Sequence, residues 1–222
     1  MLKQVIRYMF GAFGLEIRKK IHASLNDAIF YNTKESTDAF YSNEKLVARY
    51  ENEQRIAFYE KIIEEISLCI DFKNISSASD VSAGSGRLLQ IIRHLYPEKK
   101  LVGFEFSDSA LTLCRKNCPG IVFEKRNLYE MVEGSFDVIM CVDTLEHLEY
   151  PEKAIDNLLG ILSGNGYLCL VVPNGRYDVF EGHIHYWSPE SFKLFLEKLR
   201  CDIIHSKTWN EFGEQLVVVQ RK

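Results

Sequence analysis

Three groups of residues in this chain have types and spacings that could do chemistry. The first is Asp80-Val81-Ser82-Ala83-Gly84-Ser85-Gly86, a run of small residues directly before Leu88-Leu89-Gln90-Ile91-Ile92, which has helical spacing. A strand that turns through glycines into a helix brings backbone N–H groups to one point, and the helix N-terminus adds partial positive charge there. Glycine allows a ligand to approach where a Cβ would block it. This stretch therefore predicts a nucleotide-like or anionic ligand over Gly84 and Gly86. The second group holds hydrogen-bonding side chains at the ends of apolar runs: Glu105-Phe106-Ser107, Asn127-Leu128 and Cys141-Val142-Asp143. The third holds imidazoles. His147 follows Asp143 and Glu146, and His183 and His185 lie in Gly182-His183-Ile184-His185-Tyr186-Trp187. An imidazole titrates near neutral pH and can take the proton of an attacking hydroxyl.

These residues need a scaffold, and from Ser76 onward the pattern alternates strand and helix. Strands are predicted to end at Val81, over 100–106, at 121–124, over 136–142 and over 167–172. Helices follow from Arg87, from Ser107-Asp108, over 151–162 and from Ser188-Pro189-Glu190, where serine caps and proline opens the first turn. Two last strands, near 201–208 and 215–220, read as a hairpin that adds an antiparallel edge. Continuous apolar strands between helices mean an α/β fold, a mostly parallel sheet covered on both faces. Ligands of such sheets sit beyond the carboxyl ends of the strands, at the switch point. If the ligand is an adenosine, Glu105 can accept from the ribose hydroxyls and Asn127 can meet the adenine amino group. Leu128 can offer its N–H and an apolar wall, and Asp80 can accept from an ammonium or from loop N–H groups.

The chain has 222 residues and a net charge of −4, with 46% hydrophobic and 26% charged residues. This suits one α/β domain with an extension and gives no support for a nucleic-acid binder. No apolar run approaches the roughly 20 residues needed to span a bilayer. The six cysteines lack a zinc-binding spacing and sit partly in apolar runs, as reduced core residues of a cytoplasmic protein do. We divide the chain into 1–43, an amphipathic basic helix with a lid-like extension, and 44–222, the ligand-binding domain. Residues 1–22 carry Leu2, Val5, Ile6, Met9, Phe10 and Phe13 at helical spacing, with five basic residues against one acid. We read them as a helix packed on its own domain or on a second copy in a homodimer. Peripheral contact at the inner face of a membrane is the alternative. Residues 23–43 read as irregular, and a single long helix is predicted over 44–70.

A dinucleotide site would prefer a third glycine, and Leu89 stands in that place. Asp80-Val81-Ser82-Ala83-Gly84-Ser85-Gly86 instead resembles the glycine-rich loop of class I S-adenosylmethionine-dependent methyltransferases. Val102-Gly103-Phe104-Glu105-Phe106-Ser107 is similar to their second motif. Ser135-Phe136-Asp137-Val138-Ile139 and Leu145-Glu146-His147-Leu148-Glu149-Tyr150-Pro151 resemble their fourth-strand region. Leu162-Ser163-Gly164-Asn165-Gly166 through Val172-Pro173-Asn174 is similar to their fifth-strand turn. Ser82, Asn127 and the missing proline at 163–166 depart from the family pattern.

The resemblance implies a Rossmann-like seven-stranded sheet and S-adenosylmethionine as cofactor. It also implies methyl transfer to a small-molecule acceptor, with a hydroxyl oxygen of a sugar, quinone-like or lipid-linked metabolite as the first reading. N-methylation or a catalytically silent binding module are the alternatives. Cofactor contacts are expected from Asp80, Ser82, Ala83, Gly84, Gly86, Glu105, Phe106, Asn127, Leu128, Cys141 and Val142. His183, His185 and His147 are the candidate catalytic residues. His183 comes first as base, and loop anchoring through a carbonyl is the competing role. Some quinone O-methyltransferases hold a divalent cation on an acid-x-x-Glu-His set, which Asp143, Glu146 and His147 match in spacing. We read these three as capping and cofactor contact, with no metal.

Overall fold

The computed structural model describes residues 32–130 and 133–222. The expected helix over 1–22 lies outside them. The elements are α1 Lys34–Tyr41, α2 Glu44–Tyr50, α3 Glu53–Ile66, β1 Ser77–Val81, α4 Arg87–Leu95, β2 Lys100–Glu105, α5 Asp108–Asn117 and β3 Val122–Lys125. They continue with β4 Phe136–Val142, a 3-10 turn Leu145–His147, α6 Pro151–Gly160, β5 Leu162–Pro173, α7 Pro189–Glu197, β6 Cys201–Trp209 and β7 Glu214–Arg221.

The strands form one sheet in the order β3-β2-β1-β4-β5-β7-β6. The first five run parallel, and β7 pairs antiparallel with both β5 and β6. This is the Rossmann-like sheet with the antiparallel C-terminal pair that the sequence predicts. Two apolar layers cover it. Phe58, Ile62, Leu89, Ile92 and Leu111 of α3, α4 and α5 pack on one face. Leu145, Ile155, Leu158, Phe192 and Leu196 pack on the other. Burial on both faces explains why β4 and β5 read as unbroken apolar runs and not as alternating ones. No helix among the described residues is long and apolar enough to cross a membrane.

Three expectations need correction. The predicted helix over 44–70 is two helices, because Asn52 accepts from the N–H of Arg55 at 3.0 Å and so starts a new helix after Glu51. Residues 34–41, expected to be irregular, are helical. Thr33 and Ser36 close a capping box there, each side chain accepting from the other's backbone N–H. The strand expected from Tyr167 begins at Leu162 instead. Its register with β4 jumps between Phe136↔Leu162 and Val138↔Tyr167, so 163–166 bulge from the ladder.

Asp137 ties the lower ends of three strands together. Its carboxylate accepts from the N–H groups of Ser76 and Ser77 at 2.7 and 3.0 Å and from the hydroxyl of Ser163 at 2.9 Å. At the opposite end, the backbone of Gly175 runs against that of Tyr186 and Trp187. A Cβ on Gly175 would stand 2.4 Å from the Tyr186 carbonyl carbon, and its N–H donates to the Trp187 carbonyl at 2.8 Å.

Two outcomes follow for stability. Burial works to raise the Asp137 carboxyl, but the N–H and hydroxyl donors hold it below its ordinary value. Its contribution is therefore present above the unfolded carboxylate pKa and is lost as pH falls through the lowered folded one. Asp137→Ala should lose about 2 kcal/mol in urea denaturation at pH 7. The gap from wild type should narrow below about pH 4. Gly175→Ala should lower the melting temperature and raise amide exchange over 182–187, since backbone cannot yield as a side chain does. Unchanged exchange there would contradict the close packing.

Candidate active site at the carboxyl ends of the central strands

The glycine turn after β1 is held from three sides. Glu105, at the end of β2, is 3% exposed. Its Oε2 accepts from the N–H of Gly84 at 2.9 Å, and its Oε1 accepts from the N–H groups of Phe106 and Ser107 at 2.7 and 3.0 Å. Ala83 donates to the Phe104 carbonyl at 3.0 Å. From α5, the thiols of Cys114 and Cys118 and the amide of Asn117 donate to the carbonyls of Gly84, Gly86 and Ser85. Gly84 has φ +57°, and a Cβ on it would stand 2.5 Å from the Tyr41 hydroxyl oxygen. Ser82, in a place where the family prefers glycine, has φ +61°. An L-residue pays roughly 1–2 kcal/mol for that conformation.

Two carboxyls crowd this turn. Burial raises the Glu105 carboxyl, while its three N–H donors pull the other way. Asp80, at the end of β1 and 4% exposed, is pushed well up by burial and by Glu105. Such a pair favours a cation between or beside it.

The other predicted contacts divide by depth. Phe106 is half-buried beside Glu105. Cys141 and Leu128 are buried in the sheet core, so only their backbone can face a ligand. Val142 is half-buried on the opposite layer. Asn127 is exposed, and its Oδ1 accepts from the Tyr129 N–H at 3.0 Å in a local turn.

After β4, Asp143 takes φ +47° and its carboxylate pairs with the Arg55 guanidinium. Arg55 comes from α3, also bonds the Tyr50 hydroxyl, and lies 4.7 Å and 5.0 Å from the ring centres of Tyr50 and Tyr59. Burial alone would weaken its charge, and Asp143 more than offsets that. Glu214, opposite Pro173 in the ladder, completes the cluster, with its carboxyl raised by burial and by Asp143. Arg55 and Glu214 line a cavity of 420 Å³ with Phe40, Tyr50, Phe58 and Phe212. A volume of that size holds a small organic molecule.

The turn Leu145–His147 and the loop after β5 meet at Glu146. Its carbonyl accepts from the N–H groups of Ile184 and His185 at 2.7 and 3.1 Å. This brings His183 to His147, with ring centres 4.7 Å apart. His185 goes elsewhere: its Nε2 donates to the Leu148 carbonyl at 2.8 Å and its ring stacks on Trp187. Of the three candidate histidines, then, His147 and His183 share a site and His185 anchors the loop. Burial, then His183, lowers the pKa of His147 below its ordinary value. Burial, then Asp143, raises the carboxyl of Glu146.

Sequence reading missed Tyr41, Asp38, Arg55, Asp178 and Glu214. Asp38 of α1 accepts from the Ser107 hydroxyl at 2.6 Å and the Ser109 N–H at 3.0 Å. This docks α1 on the start of α5 and sets Tyr41 over the glycine turn. None of the five sits in a motif: the packing of α1 to α3 on the strand ends brings in Asp38, Tyr41 and Arg55, the loop after β5 brings in Asp178, and the β5–β7 ladder brings in Glu214.

Residues 79–170 match the family model described as a methyltransferase domain. An uncharacterised protein of a Synechococcus strain is 29% identical over 101 residues, 42% of this chain; that match covers 24% of the relative's length. Among solved structures, the N-methyltransferase NodS of Bradyrhizobium japonicum, in complex with S-adenosylhomocysteine, has TM-score 0.65 at 16% identity over 86% of this chain and 98% of that one. The magnesium protoporphyrin IX methyltransferase of Synechocystis, with bound S-adenosylmethionine, has TM-score 0.62 at 13% identity over 92% and 100%. Residues 79–170 thus carry a methyltransferase domain, and the strand order and glycine turn around it are those of the fold that S-adenosylmethionine-dependent methyltransferases share.

Proposed function

We propose that the chain transfers a methyl group from S-adenosylmethionine to a hydroxyl oxygen of a small molecule. Support for the cofactor comes from the carboxyl pair Asp80 and Glu105 beside the rigid N–H groups of the glycine turn. The cofactor carries an ammonium, a sulfonium, a carboxylate and ribose hydroxyls. The paired carboxyls suit its cationic centres. Glu105 has spent three of about four acceptor positions on backbone N–H groups. It therefore has room for one ribose hydroxyl, not two.

One observation carries the choice of oxygen as the methyl acceptor. The imidazoles of His147 and His183 stand together beyond β4, each with Nδ1 engaged and Nε2 left for a proton. In the reaction a lone pair of the acceptor oxygen attacks the sulfonium methyl in line. The C–S bond electrons return to sulfur, giving a neutral thioether, and the hydroxyl proton passes to Nε2 of His183. The protein contributes orientation, exclusion of water and a place for the proton. The aromatic cavity by Arg55 and Glu214 is where the body of the acceptor would lie.

Glu105→Gln should weaken S-adenosylmethionine binding by about 10–100-fold in calorimetry. An unchanged affinity in a folded variant would remove Glu105 from the cofactor site. His183→Ala should leave cofactor affinity in place and lower kcat by about 10²–10⁴-fold; full turnover would exclude it as base. The substrate screen can follow S-adenosylhomocysteine release from metabolite extracts.

A further inference from the structure

Glu146, His147 and His183 converge on one point with no hydrogen bond among them, and their outer partners hold them so. Nδ1 of His147 lies 3.2 Å from the Gly182 carbonyl oxygen, which can only accept, so Nδ1 carries the proton. Nδ1 of His183 lies 2.5 Å from Oδ2 of Asp178 and donates to that carboxylate. In the neutral imidazoles each Nε2 is then the nitrogen with the free lone pair. Both face Oε1 of Glu146, at 3.8 Å and 3.9 Å. The Glu146 side chain is 1% exposed, and neither of its oxygens has a hydrogen-bond partner. A buried carboxylate without a donor is costly, and two facing lone pairs add to that cost.

We propose that Glu146, His147 and His183 form a binding site for a divalent first-row transition cation, with zinc as the reference ion. The ligand atoms lie within 4.8 Å of one another. Bonds of about 2.0–2.1 Å at tetrahedral angles would place them about 3.3 Å apart. The two Nε2–Oε1 gaps must close by about half an ångström and the remaining pair by at most about 1.5 Å, which side-chain rotation supplies. The outer partners are those that metal-bound histidines use: a carboxylate on one and a backbone carbonyl on the other, each fixing the tautomer and aiming Nε2 inward. Two imidazole nitrogens in a set of three select against magnesium and calcium, which take oxygen ligands.

The set also differs from the acid-x-x-Glu-His arrangement legible in sequence. Asp143 is held by Arg55, and the third ligand comes from the loop after β5. Three protein ligands leave at least one position open, as catalytic sites do. With a cation on its Nε2, His183 no longer serves as the base; a hydroxyl bound at the open position would ionise on the ion instead and lose its proton to bulk water.

The site stands on the lone pairs and not on methyl transfer, so its test reads binding alone. The tag-free full chain, stripped with chelator, is titrated with cobalt(II). We expect one equivalent bound per chain, with the visible bands of nitrogen- and oxygen-ligated cobalt and no near-ultraviolet thiolate band. His183→Ala should abolish those bands. Glu146→Gln, which keeps the shape of the side chain, should weaken binding at least about 10-fold. Should His183→Ala fail to fold by circular dichroism, the Glu146→Gln result decides. Absence of the bands in wild type, a thiolate band, or equal affinity in folded variants would overturn the assignment, whether or not S-adenosylmethionine binds.

Discussion

One carboxylate holds the ligand-facing edge of this molecule in shape. Glu105 sits at the end of β2, yet it binds the turn after β1 through Gly84 and the turn after β2 through Phe106 and Ser107. Its burial makes those three bonds strong, because there is little water to compete for them. The carbonyls on the other side of the glycine turn are met by Cys114, Asn117 and Cys118 of α5. Donors and acceptors of the turn are thus both satisfied by neighbouring elements. The turn is rigid before any ligand arrives, and a rigid site loses little entropy on binding.

The edge is divided between two tasks. On the β1–β2 side, Asp80 and Glu105 gather carboxyl oxygens around fixed N–H groups. On the β4–β5 side, Asp143, Glu146 and Glu214 do the same around Arg55 and two histidines. Two left-handed residues, Ser82 and Asp143, mark where β1 and β4 turn off the sheet. Neither is glycine. Strain of this kind persists only where surrounding contacts over-determine the backbone, and it gathers at functional sites.

The sheet was legible because strand burial on two faces writes itself as unbroken apolar runs, and because Ser107 and Ser188 announce helix starts. The glycine turn and Glu105 were legible for a similar reason: neighbours in sequence place them. The joint at Asn52 was also within reach, since asparagine is a strong cap, but the apolar stripe of 44–70 runs through it and masks the break. Arg55, Asp178 and Glu214 were not legible. Two have partners far along the chain, Asp143 for Arg55 and the β5–β7 ladder for Glu214, while Asp178 lies five residues from His183 in a loop that carries no motif. Nothing local distinguishes them from surface charges. The spacing of Asp143, Glu146 and His147 is incomplete in a related way. It puts three ligand types within one turn, while tertiary pairing withdraws the first and supplies His183 in its stead.

Tyr41 gives the molecule a threshold. Its hydroxyl fills the space that the absent Gly84 side chain leaves open, and α1 is fastened there by Asp38 to the first turn of α5. A molecule arriving at the glycine turn meets this helix first. The occupancy of the turn then depends on two equilibria, the intrinsic fit and the fraction of time α1 stands aside, and the second scales the first. Exchange at the turn becomes a matter of helix undocking, with residence set by α1 as much as by the contacts beneath it.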